Sequence, residues 1–101
     1  GGRSLLANLA ESLFLFEKIR TTKAKAKATR SAVERLITKA KKNNLAARRE
    51  LLSVLYTKNA VKKLMEDLGP RYAERKGGYT RIISIKDRVG DGAEEVVLEL
   101  V

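Results

Sequence analysis

The chain has 101 residues, 44% of them hydrophobic, enough for one domain with a buried core and too apolar for a disordered tail. Its formal net charge is +10, from 22 Lys and Arg against 12 Asp and Glu, which points to a polyanionic partner. Cys and His are both absent, which excludes disulfides, thiolate metal sites, the usual zinc ligand and the usual general base.

Leu5, Leu9, Leu13 and Phe16, with Leu6 and Ala10 beside them, recur at helical spacing and predict a first helix capped by Ser4. Lys18–Thr22 reads as a short strand with Ile19 and Thr21 on one face. Thr22 can cap a second helix from about Lys23 to Lys42, whose buried stripe is Thr29, Val33, Leu36, Ile37 and Ala40. On another face Lys23, Lys27 and Arg30 line up one turn apart, as do Arg35, Lys39 and Lys42. Asn43-Asn44 breaks the pattern. A third helix over Leu45–Tyr56 offers Leu45, Leu52, Leu55 and Tyr56 to the core. Arg48 and Arg49 stand near its start, where the helix dipole disfavours cations, and this marks them as candidates for function.

The fourth helix starts at Thr57 or Asn59 and carries the stripe Val61, Leu64, Met65 and Leu68. Gly69 can take the left-handed conformation that ends a helix and Pro70 cannot continue one, so the stop is expected there. Tyr79–Lys86 and Glu95–Val101 read as two strands, with turn chemistry at Gly90-Asp91-Gly92. On the last strand either Val96, Leu98 and Leu100 or the alternate set can face the helices. Two strands alone are marginal, so they are expected to pair with Lys18–Thr22. The expected fold is a two-layer α+β domain spanning residues 1–101: helix, strand, three helices and two strands, with a three-stranded sheet covered by helices on one face.

The charge is segregated. Residues 18–50 carry twelve cations and two anions, which is the whole excess, while residues 1–17 are at −1 and residues 51–101 at +1. Such a concentration repels itself unless a polyanion neutralises it, so nucleic acid is preferred over a merely solvated helix face. The loop from Leu68 to Ile83 adds Arg71, Arg75, Lys76 and Arg81 around Gly77-Gly78. Its backbone amides could approach phosphate, or the Gly-Gly pair could be a plain turn. Of the loop tyrosines, Tyr79 is the better candidate for stacking on a base, and Tyr72, Phe14 and Phe16 are assigned to the core.

Enzyme readings fare poorly, because Glu66-Asp67 sit side by side on a helix, Glu94-Glu95 point to opposite faces of a strand, and no P-loop pattern occurs. No cofactor, metal or small-molecule substrate is expected. No apolar run approaches the roughly 18 residues of a membrane span, and the basic helix has no Trp or Phe to insert into a bilayer, so no membrane partner is expected either. Gly1-Gly2-Arg3-Ser4 lacks a Met and any signal-peptide pattern and reads as a processed or truncated beginning, or a cloning remnant.

Two long motifs carry a resemblance. Glu17-Lys18-Ile19-Arg20-Thr21-Thr22-Lys23-Ala24-Lys25-Ala26 is followed by Leu68-Gly69-Pro70-Arg71-Tyr72-Ala73 and Gly77-Gly78-Tyr79-Thr80-Arg81-Ile82, and the end by Gly90-Asp91-Gly92-Ala93 and Val96-Val97-Leu98-Glu99-Leu100. In this order and spacing, from about Leu5 to Val101, the chain resembles the bacterial-type large-subunit ribosomal protein family number seventeen. The resemblance implies the same order of helices and strands. It also implies a structural role on the ribosome, with direct binding to large-subunit ribosomal RNA near the nascent-chain tunnel exit and contact with neighbouring large-subunit proteins. It further implies a cytoplasmic bacterial ribosome, with an organellar one as the alternative. Carried onto this chain, Thr21, Thr22, Lys23 and Lys25 at the strand–helix junction become expected RNA contacts, and so do Arg71, Arg75, Gly77, Gly78, Tyr79, Thr80 and Arg81 in the loop. Lys27, Arg30, Arg48, Arg49 and Lys76 join them on charge and position. The resemblance implies a basic N-terminal arm before the first helix; only Gly1-Gly2-Arg3-Ser4 stands there, so the arm is expected to have been removed, left out of this sequence or lacking in this version, and Leu15 and Phe16 stand where relatives often carry a cation and His. The alternative function is a free-standing basic nucleic-acid-binding protein, architectural or regulatory, though no helix-turn-helix spacing supports it.

Overall fold

The computed structural model describes residues 5–55, 57–85 and 94–101, so Ser4, Tyr56 and the expected turn at Gly90-Asp91-Gly92 lie outside the described residues. In chain order it has α1 (Leu5–Phe16), β1 (Lys18–Thr22), α2 (Lys23–Ala40), α3 (Leu45–Val54), α4, β2 (Thr80–Ser84) and β3 (Glu95–Leu100). Helix α4 begins with Lys58–Lys63, continues through a π-helical turn at Leu64–Leu68 and closes with Gly69–Arg71. The three strands form one antiparallel sheet in the order β1-β3-β2, with helices packed on it, and this is the α+β architecture expected.

Helix α2 is the axis of the molecule and touches α1, α3, α4, β1, β2 and β3. Its start is fixed locally, because Thr22 has extended backbone and its hydroxyl accepts from the Lys25 N–H at 3.3 Å. Ala26, Thr29, Val33, Ile37 and Ala40 form its buried stripe, with Leu36 packed at the margin. Asn43 takes φ 52 and Asn44 caps α3 by accepting from the Ala47 N–H, which explains the break between the two helices.

Three expectations about the core are corrected. Phe16 is 72% exposed, because the inward face of α1 runs through Ala10, Leu13 and Phe14 and leaves Phe16 on the far side. In α3 the inward positions are Ala47, Leu51 and Leu55 at i, i+4, i+8, so Leu45 and Leu52 lie on the open side. Gly69 does not stop α4 in a left-handed conformation: its φ is −54 and its N–H reaches back to Leu64 O, the wide turn of a π-helix. A proline ring clashes with the carbonyl four residues earlier, and the widened turn ahead of Pro70 lets the helix run on to Arg71. Space at 69 is tight, since a Cβ there would stand 3.1 Å from Ala40 O and 3.2 Å from Leu64 O and would press on both carbonyls.

The register of the sheet settles which strand faces are buried. Ile19 and Ile82 both lie opposite Leu98, and Val96, Leu98 and Leu100 pack under the helices. Ile83 is paired with Val97 on the other face and stays exposed. The C-terminal strand is tied to the loop after α4 by two tyrosines. Tyr72 and Tyr79 are buried with ring centroids 5.0 Å apart, and the Tyr72 hydroxyl donates to Val101 O at 2.7 Å. A buried carboxylate joins α1 to α4, with Glu11 Oε1 accepting from the Thr57 N–H at 2.8 Å and its hydroxyl at 2.9 Å.

Candidate nucleic-acid interface

The outward face of α2 follows from helical spacing. Lys27, Arg30, Ser31 and Arg35 are exposed on α2 outside its buried stripe, Lys39 is half-buried near its end, and Lys42 is exposed two residues past it. Among the described residues Lys25, Lys27, Arg30, Arg35 and Lys42 make no ion pair, while Lys23 is 3.7 Å from Glu94 and Lys39 pairs with Glu50 of α3. The Glu50 carboxyl is held below its ordinary pKa by the hydrogen bond from Lys39 and by the charges of Lys39 and Lys42. A groove of about 670 Å³ opens between α2, the end of α3 and the Gly-Gly loop, lined by Arg35, Lys39, Lys42 and Lys76 around Leu36 and Val54. A second hollow of about 430 Å³ adjoins it, sharing Glu34 and Arg35 and adding Lys27 and Arg30.

Glu34 is the one anion facing these hollows among the described residues, and it is engaged. Its Oε1 accepts from the Gly78 N–H at 3.1 Å, and its Oε2 accepts from the Tyr79 N–H at 3.1 Å and the Thr80 hydroxyl at 3.2 Å. The loop therefore forms an amide cradle of the kind that binds phosphate, already filled by a carboxylate of the same chain. Gly78 makes the cradle possible with φ +64, a backbone state that side chains rarely adopt. The Gly-Gly pair is thus a turn held against α2.

The other expected contacts are placed as follows. Thr22 serves as the α2 cap, Thr21 lies opposite Val96 in the sheet, and Lys25 is exposed on the first turn of α2. The Tyr79 ring is buried, so it is a core residue and not a platform for stacking a base. Its hydroxyl donates to Arg75 O at 3.2 Å and accepts from Lys41 Nζ at 3.0 Å. The Arg75 guanidinium lies 5.5 Å from the Tyr72 ring centre, and Lys76 is exposed beside Gly77 at the groove. Arg48 is half-buried and Arg49 exposed on α3, and neither lines the groove. Arg81 lies on the outward face of the sheet and donates to Glu99 at 2.7 Å.

Arg71 is drawn into the fold. It grips Glu17 with both terminal nitrogens, at 2.8 and 2.7 Å, and reaches Asp67 at 3.0 Å, while Lys63 adds a contact to Glu17 at 2.9 Å. Glu17 sits at φ 69 just past α1, a position that would suit Gly, and the two cations compensate that strain. The hydrogen bonds from Arg71 and Lys63 lower its pKa from 4.5 to about 2. A lowered carboxylate pKa gives stability that is present above pH 4.5 and lost as the pH falls from there towards 2. The side chain is 39% exposed, so solvent screening reduces the contribution to about 1 kcal/mol. Glu17→Gln is therefore expected to cost about 1 kcal/mol at pH 7 and clearly less at about pH 2, where the Glu17 carboxyl is half protonated, with urea denaturation of both proteins at the two pH values as the check. An equal deficit at both pH values would assign the loss to packing.

The sequence profile of ribosomal protein L17 matches residues 5–101. The chain belongs to the ribosomal protein L17 family. The large ribosomal subunit protein bL17 of Desulforamulus reducens is 52% identical over 99 residues, covering 98% of this chain and 88% of the relative. The bL17 protein of Clostridium botulinum strain Hall is 50% identical over 99 residues with the same coverage. That of an Exiguobacterium species is 50% identical over 104 residues, covering 98% and 89%. The L17 family is structural and is not known for catalysis.

Within this L17 chain, Arg35, Lys39 and Lys42 are not among the contacts named from the sequence, although cations of the second helix in general are expected to bind phosphate. Their alignment on one helix face was visible. What was invisible is that α3 and the Gly-Gly loop rise on either side of that face and turn it into the wall of a groove.

Proposed function

We propose that this protein is a structural constituent of the large ribosomal subunit and binds large-subunit ribosomal RNA directly. The outward face of α2 and the adjoining Lys76 supply the contact. The observation that carries this reading is the row of cations on α2 with no carboxylate partner among the described residues, in a chain of the L17 family. Phosphate oxygens neutralise such a row, and the released counterions drive the association. The family resemblance supports a position near the nascent-chain tunnel exit, beside neighbouring large-subunit proteins, in bacterial cytoplasm. Among the described residues no helix is long and apolar enough to cross a membrane.

Sedimentation tests the reading. The endogenous protein is expected in the large-subunit peak of a high-magnesium gradient, and crosslinking in the intact particle should attach it to ribosomal RNA through α2. A protein that stays at the top of the gradient would be a free nucleic-acid-binding protein. On isolated RNA, Arg30→Gln with Lys42→Gln is expected to reduce the log–log salt slope by about 0.7–0.9 for each phosphate contact removed.

A further inference from the structure

The groove beside α2 differs from a purely basic patch in its mixed lining. Leu36, which is half-buried, and Val54, which is 42% exposed, line it together with Arg35, Lys39, Lys42 and Lys76. Its volume of about 670 Å³ lies within the range of roughly 300–1,000 Å³ that holds ligands of nucleotide size. A duplex cannot use such a recess, because A-form RNA keeps its bases inside and is held by its backbone and shape. A base splayed out of an unpaired strand can enter it.

We propose that this groove seats an unpaired nucleotide of the bound RNA. The base lies over Leu36 and Val54 against the Arg35 guanidinium, which substitutes for an aromatic ring as a stacking surface. Lys39, Lys42 and Lys76 take the flanking phosphates. The strand continues into the adjoining hollow past Arg35 towards Lys27 and Arg30, giving a track of roughly 18 Å along α2 between Lys39 and Lys27 from the helical rise. Glu34 does not repel it, because the Gly78 and Tyr79 amides and the Thr80 hydroxyl hold its carboxylate. The cations outnumber the two carboxylates here, Glu34, which is engaged by the loop, and Glu50, which pairs with Lys39, and this excess favours a polyphosphate strand.

The inference rests on the RNA-binding reading above, and the experiment separates the two. The purified full chain is titrated with a single-stranded RNA 12-mer, the same strand with abasic sites, a blunt RNA duplex of equal length, and a poly-glutamate peptide. Intact single strand is expected to bind about tenfold more tightly than the abasic strand or the duplex. Val54→Asp and Arg35→Ala, each checked for native circular dichroism, are expected to erase that preference while duplex affinity changes far less. Equal affinity for intact and abasic strands overturns the nucleotide seat and leaves a phosphate-only RNA surface. Peptide binding that exceeds RNA binding and is lost in Val54→Asp overturns it in favour of an acidic protein partner. No binding to any RNA at low salt overturns the RNA-binding reading itself.

Discussion

Tyr72→Ala is expected to cost about 3–5 kcal/mol, a large part of the stability of a chain this size. The ring is 2% exposed, packs against Tyr79, and carries the Arg75 guanidinium over one face. Its hydroxyl donates to Val101 O, next to the bond from the Val101 N–H to Tyr79 O. Truncation removes all of these and leaves a cavity between the loop after α4 and the sheet. Tyr72→Phe keeps the ring and loses only the hydroxyl, so it is expected to cost about 1 kcal/mol. Urea denaturation of the three proteins checks the pair of values. If both variants fall by the same amount, the hydroxyl carries the effect and the ring packing does not.

Glu34→Ala is expected to have the next largest effect, about 2–3 kcal/mol, and to act on the loop before the whole fold. The substitution leaves the Gly78 and Tyr79 amides and the Thr80 hydroxyl without their acceptor. Faster hydrogen exchange at those two amides, with unchanged exchange in α1, is the expected signature. Glu34→Gln keeps one carbonyl oxygen but turns an NH2 towards donors, so it should recover less than half of the loss. An empty cradle of amides also becomes an anion site, so Glu34→Ala should gain protection from inorganic phosphate that the parent protein lacks. Without that gain, the loop has collapsed on losing its carboxylate.

Much of the framework was legible because its signals are local. Thr22 and Asn44 accept from the amides three residues on, as a residue before a helical run suggests. The stripe Val61, Leu64, Met65 and Leu68 is buried as its spacing implies. The errors arose where a neighbour distant in sequence decides. Gly69 looked like a helix stop, yet α4 runs on through it, close against the Ala40 carbonyl. Arg71 and Arg81 also have carboxylate partners that the sequence did not reveal, Glu17 and Asp67 for the first and Glu99 for the second. Tyr79 looked exposed beside two glycines, yet the hydrogen bonds of Glu34 bring its backbone down onto α2 and its ring into the core.

By itself the sequence determined the order of elements, the segregation of charge into residues 18–50 and the family, because caps, hydrophobic periods, net charge and ordered motifs are properties of neighbouring residues. Only the tertiary structure decided which cations remain without a carboxylate partner and which become part of the fold. Ion pairing depends on approach to within a few ångströms, and here the partners are brought together across tens of residues, as with Glu17 and Arg71. It also turned one face of α2 into a groove, since a concave surface needs walls from three separate segments.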